Sequence, residues 1–217
     1  MGPKHIFIIR HAQSIEDLDR NLYFTKQDSD LILTPLGHQQ ATTLADELML
    51  HLGNKKEKIA IFSSPSKRVS LTVEMLLPSL KQIDPSLIWS ESDLIKKQDW
   101  GLVNPNNREE IERERYKIGV LRYDFPQGEK ANEFLSRTLS FVKNLPHDVD
   151  NVIIVTHGFM FRVLLMHLLN WSEDFFDKVA HPLNCEIKKV IITENNVTLD
   201  GDIRFVTKSK DWVQRIS

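Results

Sequence analysis

Ile6-Phe7-Ile8-Ile9-Arg10-His11 decides the architecture: four consecutive apolar residues, β-branched or aromatic, run directly into two basic ones. A strand with one face in water alternates apolar and polar residues. An unbroken apolar run needs cover on both faces, which is the condition of a strand inside a parallel sheet. Three further runs have the same character: Ile59-Ala60-Ile61-Phe62, Val152-Ile153-Ile154-Val155 and Val190-Ile191-Ile192, with Leu87-Ile88-Trp89 a shorter candidate. Helical patterns fall between them. Thr34 is placed to cap a helix with Pro35 in its first position, and Ala41, Leu44, Ala45, Leu48 and Leu52 follow at helical spacing before Gly53. A second helix is predicted from Ser66 to Leu77, stopped by Pro78. A third runs from near Lys130 to Leu145, with Phe134, Thr138, Phe141, Val142 and Leu145 inward. The segment Phe159 to Leu169 is apolar almost all round, which predicts a buried helix too short for a bilayer. Strands alternating with helices predict an α/β fold: one domain over residues 1–217, with a mostly parallel central sheet and helices on both faces.

Composition narrows the function classes. Lysine and arginine number 28 against 30 acids among 217 residues, so no basic excess points to nucleic acid, and a small molecule or phosphopeptide is the expected partner. Cys185 is the single cysteine, which excludes an internal disulfide and a cysteine-rich zinc site and fits a reducing compartment. The run from Ile6 to Ile9 is too short for a signal-peptide core or a membrane span, so the expected location is the cytoplasm. The charged run Arg108-Glu109-Glu110-Ile111-Glu112-Arg113-Glu114-Arg115 reads as a solvated helix on an insertion.

In a parallel α/β sheet the binding crevice lies beyond the carboxyl ends of the strands. Arg10 and His11 follow the first run, Ser63, Ser64 and Arg68 the second, and Thr156, His157 and Gly158 the run from Val152 to Val155. Singly, a histidine or arginine there is an ordinary polar residue. Two of each, brought to one rim from three distant parts of the chain, make a pocket for a dianion, because the guanidinium fork matches phosphate oxygens. An imidazole in such a pocket can act as nucleophile, with no metal and no cofactor required.

Ile9-Arg10-His11-Ala12-Gln13-Ser14 resembles the R-H-G-E-S signature of the histidine phosphatase superfamily, also called phosphoglycerate-mutase-like. Ser64-Pro65-Ser66-Lys67-Arg68 with Thr72 is similar to its S-P-x-x-R-x-x-x-T block, and Val155-Thr156-His157-Gly158 to its second-histidine block. Three further segments, Gln98 to Gly101, Tyr123 to Glu129 and Pro182 to Ile187, resemble a branch of plant, fungal and bacterial phosphatase-like proteins. The resemblance implies a phosphomonoester hydrolase in which His11 is transiently phosphorylated, while Arg10, Arg68 and His157 bind the phosphoryl group.

The chain also departs from that pattern. Lys97 stands where the resemblance implies a general-acid glutamate, Asp17 where it implies a phosphate-contacting asparagine, and Ala12 and Gln13 where it has glycine and glutamate. Asp17, Lys97, Asp99, Glu129 and Gly158 are therefore the candidates for substrate binding or a substitute acid. General acids supply about a hundred- to ten-thousandfold, so their loss leaves a slow phosphatase rather than none. The alternative is a pseudophosphatase that binds a phospho-ligand or protein partner without turnover, and a phosphoglycerate-type mutase comes third. Opposite charges at positions 17 and 97 predict an Asp17–Lys97 salt bridge when no substrate is bound, or the two side chains together around the leaving-group oxygen when it is; the alternative is that Asp17 turns outward and Lys97 extends into solvent. Substrate specificity is expected from the insertion around Asn104 to Arg122.

Overall fold

The computed structural model describes residues 2–53 and 56–206. Its centre is a six-stranded sheet ordered β3-β2-β4-β1-β5-β6, formed by β1 (His5–Arg10), β2 (Ile59–Ser63), β3 (Ile88–Glu91), β4 (Asn151–Thr156), β5 (Ile187–Ile192) and β6 (Val197–Asp200). The first four strands pair in parallel, and β5 and β6 add an antiparallel edge beside β1. Packed around the sheet are α3 (Pro35–Leu52), α4 (Lys67–Ile83), α6 (Ala131–Lys143) and α7 (Gly158–Leu169). The loops carry α1 (Ile15–Leu18), α2 (Leu22–Thr25), α5 (Arg108–Ile118) and α8 (Glu173–Lys178). Among the described residues no helix is long and apolar enough to cross a membrane.

The unbroken apolar run of β1 is explained by where its side chains go. Ile6 and Ile8 join Val152 and Ile154 in a core with Phe134, Phe141, Phe161 and Leu164 of α6 and α7. Phe7 and Ile9 join Ile61, Ile153 and Val155 in a second core with Leu44, Leu48, Val69, Val73 and Leu76 of α3 and α4. Both faces of the central strands are dry, and apolar burial of this kind contributes roughly 25 cal/mol per Å².

The predicted α3 holds at both ends: Thr34 Oγ1 accepts from the Gly37 N–H at 3.0 Å, and Gly53 follows the last turn. Two expectations are corrected. Pro78 does not stop α4, which continues to Ile83 because Leu80 and Ile83 extend the buried stripe of Val69, Val73 and Leu76, offsetting the hydrogen bond that proline cannot make. The run ending at Ile192 is not a parallel strand buried on both faces. The chain arrives there past the carboxyl end of β1, where Cys185 N–H donates to Arg10 O at 3.0 Å, and so it must run back antiparallel. Lys188 and Lys189 mark its partly exposed faces. The edge strand β6, largely exposed, has no apolar run to announce it.

Candidate active site

Sheet register builds the centre of the site. Arg10 of β1 lies opposite Thr156 of β4, so the next residues, His11 and His157, leave neighbouring strands side by side. Their rings are 5.4 Å apart, edge to face at 69°. His11 Nδ1 donates to Ala12 O at 2.8 Å, which leaves Nε2 as the nitrogen with a lone pair. Burial first, and then the charge of Arg68, push the His11 ring down to about 4, so it is neutral near pH 7. His157 is held neutral by the same two causes, well below its ordinary value. Arg68 Nη2 donates to its Nδ1 at 3.2 Å, so the ring proton sits on Nε2, 2.9 Å from Ser64 Oγ.

Arg10, Arg68 and Lys97 each already hold an anion. Arg10 pairs with Asp17 and donates to Pro182 O at 2.7 Å. Arg68, 1% exposed, lies 2.8 Å from Asp28 and 3.1 Å from Glu16. Lys97 Nζ lies 2.7 Å from Glu16 Oε1 and 3.3 Å above the centre of the Tyr23 ring. Burial alone would raise Glu16, but Lys97 and Arg68 outweigh it and hold the carboxyl down to about 2. Asp17 is likewise lowered against its burial, by His11, Arg10 and the Ser14 N–H. Burial lowers Lys97 to about 8 despite Glu16.

These groups open onto a cavity of about 240 Å³ lined by Arg10, His11, Asp17, Lys97, His157 and Gly158 among others. A side chain at Gly158 would place its Cβ 2.1 Å from His181 Nε2, so it could enter only if the His181 ring moved.

A model of the histidine phosphatase superfamily (branch 1) matches residues 6–201. The chain belongs to that superfamily. A phosphoglycerate mutase-like protein of Arabidopsis thaliana is 29% identical over 203 residues, which cover 86% of this chain and 64% of that relative. The chain thus spans slightly less than two thirds of that relative's length. A broad-range acid phosphatase of Saccharomyces cerevisiae is 28% identical over 113 residues, 46% of this chain and 33% of that protein. The solved phosphoglycerate mutase of Bacillus anthracis shares the fold, with a TM-score of 0.70 at 17% identity over 91% of this chain and 92% of that one.

Where the chain departs from the superfamily pattern, the structure corrects the expectations. Asp17 and Lys97 do not pair: Asp17 is taken by Arg10 and by the Ser14 N–H at 2.8 Å, and Lys97 by Glu16, one residue earlier on the same loop. Nor does Lys97 extend into solvent, its side chain being 24% exposed. Asp99 and Glu129 are not among the residues lining the cavity. Asp99 is exposed, and Glu129 is gripped by Arg137 at 2.5 and 2.9 Å. Arg68 does not line the cavity either; it stands behind it, touching His157 and Glu16.

The charged run of α5 is not a solvated helix. Arg108, Ile111, Glu112 and Arg115 are buried, and Arg108, Glu112 and Arg115 line the cavity. Arg108 Nε donates to Glu112 at 3.0 Å, and the Arg115 guanidinium lies 4.4 Å from the centre of the Phe159 ring. The spacing of these residues, three, four and seven apart, is the signal that reveals the face. An apolar pattern search passes over it because three of the four are charged. Glu16 and Asp28 carry no comparable signal, since the loop between β1 and α3 folds both onto one arginine distant in sequence, Arg68.

Proposed function

We propose that this chain hydrolyses phosphomonoesters of small molecules through a phosphohistidine on His11. The observation that carries the reading is the His11 ring itself: neutral, fixed through Nδ1 by Ala12 O, and beside the cavity with Nε2 as its nucleophilic nitrogen. An entering phosphate dianion competes with Asp17 for Arg10, while Arg68 adds its positive charge from behind His157. The arginines then stabilise the charge on the transferring group. His157 keeps its ring against His11, within reach of the same phosphoryl group. The superfamily match supports phosphoryl chemistry on a histidine, and the name of the yeast relative, an acid phosphatase, supports the phosphatase reading of it.

One observation favours a second reading, a phosphate pocket without turnover: Arg10 and Lys97, the cations beside His11 that line the cavity, are both paired with carboxylates of the chain itself, which any phosphate must displace. Hydrolysis of p-nitrophenyl phosphate without added metal separates the two. We expect turnover that falls by about 10³-fold or more in His11→Ala, with acid-labile phosphate trapped on His11 of the native chain. Phosphate binding without turnover in the native chain establishes the second reading, and turnover that survives His11→Ala removes the first.

A further inference from the structure

We propose that Lys97 gives its proton to the leaving oxygen as His11 takes the phosphoryl group, and recovers one from water when the phosphohistidine is hydrolysed, with Glu16 as its positioning residue. The inference rests on His11 being the nucleophile.

Three contacts place Lys97. Thr156 Oγ1 donates to Ile95 O at 2.7 Å, which ties the segment carrying Lys97 to the strand end that carries His157. Arg137 donates to Leu94 O at 2.6 Å and to Lys96 O at 3.0 Å, fixing the backbone on either side. Glu16 then holds the ammonium at 2.7 Å while its other oxygen lies 3.1 Å from Arg68, the arginine bonded to His157. Lys97 is therefore one carboxylate removed from the groups around the His11 ring, on the cavity wall.

Chemistry selects it among its neighbours. An alkoxide is too basic to leave without a proton, so a donor must sit beside the phosphate. Glu16 and Asp17 are held ionised by the cations they touch and have no proton to give at neutral pH. Tyr23, beneath the ammonium, is pushed by burial up to about 12 and keeps its proton. His157 is neutral, and its single N–H faces Ser64. Glu112 is held by Arg108. Lys97, lowered by burial and by Arg68 but raised by Glu16 and Asp17, stays charged at pH 7 while holding its proton less firmly than a free lysine. The steps balance. The His11 Nε2–P bond forms as the ester P–O bond breaks, and the ammonium proton passes to the departing oxygen, giving an alcohol and a neutral amine. Water then attacks phosphorus, its proton returns to the amine, and the N–P bond breaks to release inorganic phosphate.

The test compares two esters on the full chain without added metal: p-nitrophenyl phosphate, whose phenolate leaves unaided, and glycerol 2-phosphate, whose alkoxide does not. Arginine keeps the charge at position 97 but holds its proton too tightly to act as donor. In Lys97→Arg the ratio of alkyl to aryl kcat/KM should fall by about 10²–10⁴, and Lys97→Met should show the same change of ratio should Arg fold poorly. The alkaline limb of the native alkyl-ester profile, near pH 8, should disappear in Lys97→Arg and move to lower pH in Glu16→Gln. An equal loss on both esters in Lys97→Arg and Lys97→Met overturns the proposal, leaving Lys97 a purely electrostatic part. A collapse of the ratio in His181→Asn instead assigns the proton to His181 and also overturns it. Native turnover of the aryl ester alone refutes this inference and spares the hydrolase reading, whereas native turnover of neither ester refutes both.

Discussion

The floor of the cavity and its outer wall are made by opposite means. On the floor, Arg10, His11 and His157 stand at the ends of two apolar strands whose register brings them together, whatever the rest of the chain does. On the wall, Arg108, Glu112 and Arg115 stand on a helix whose sequence is almost entirely charged and whose burial depends on Phe159, Phe125 and Trp100. A charge placed by a sheet is fixed by backbone hydrogen bonds. A charge placed by α5 is fixed by its neighbours' side chains, so it can change without loss of the fold, which is what a specificity wall requires.

The sharpest way to break this contrast is to remove the arginine behind the floor. Arg68→Met strips Glu16 and Asp28 of a cation and His157 Nδ1 of its donor in one step. We expect a loss of about 3–5 kcal/mol in urea unfolding and a fall in p-nitrophenyl phosphate turnover on the order of 10²–10³-fold. A stable, active Arg68→Met would mean that the floor is held by the strands alone.

The same contrast explains what could be read from the sequence. Continuous apolar runs revealed β1, β2 and β4, and the residues following them gave Arg10, His11 and His157, because strand ends and crevice coincide by construction. Thr34, Pro35 and Gly53 marked α3 through backbone chemistry that needs no tertiary knowledge. The rest depended on contacts between distant segments. Pro78 lies inside α4 because Leu80 and Ile83 have a core to enter. Lys97 pairs with Glu16 rather than Asp17 because Arg10 reaches Asp17 first. The wall was hidden for a further reason: helical spacing was present at 108, 111, 112 and 115, but charge at three of those positions made a buried face look like a wet one.

Breaking the wall should have a smaller effect. Arg108 Nη2 is buried without a partner, and Glu112→Ala removes the carboxylate from Nε as well. We expect a loss of about 1–3 kcal/mol in urea unfolding, and a smaller fall in p-nitrophenyl phosphate turnover than Arg68→Met gives. The double change Arg108→Leu, Glu112→Leu should recover most of that stability, since a buried pair costs little when both charges go together. If the double change is as damaging as the sum of the single ones, the pair is not the unit that holds α5 in place.

The smallest effect separates floor from wall by pH. α5 contains no histidine, so mild acid acts on stability through the floor, whose histidines the fold keeps neutral, and leaves the wall as it is. In the unfolded chain a histidine binds its proton at about 6.5; in the fold, burial and Arg68 lower His11 to about 4. Between those values the unfolded state carries a proton that the folded state does not. The stability due to neutral His11 is therefore complete above pH 6.5 and is lost as pH falls toward 4. From pH 7 to pH 5.5 this amounts to about 1 kcal/mol for this one ring. His157, lowered by the same causes, acts in the same direction, so the quantity to compare is the change on substitution. Urea unfolding of His11→Asn should show a pH dependence shallower than the native chain by that amount, whereas Glu112→Ala should keep the native slope. An unchanged slope in His11→Asn would mean that the ring takes up its proton in the fold as readily as in water, and so is not the neutral nucleophile required of it.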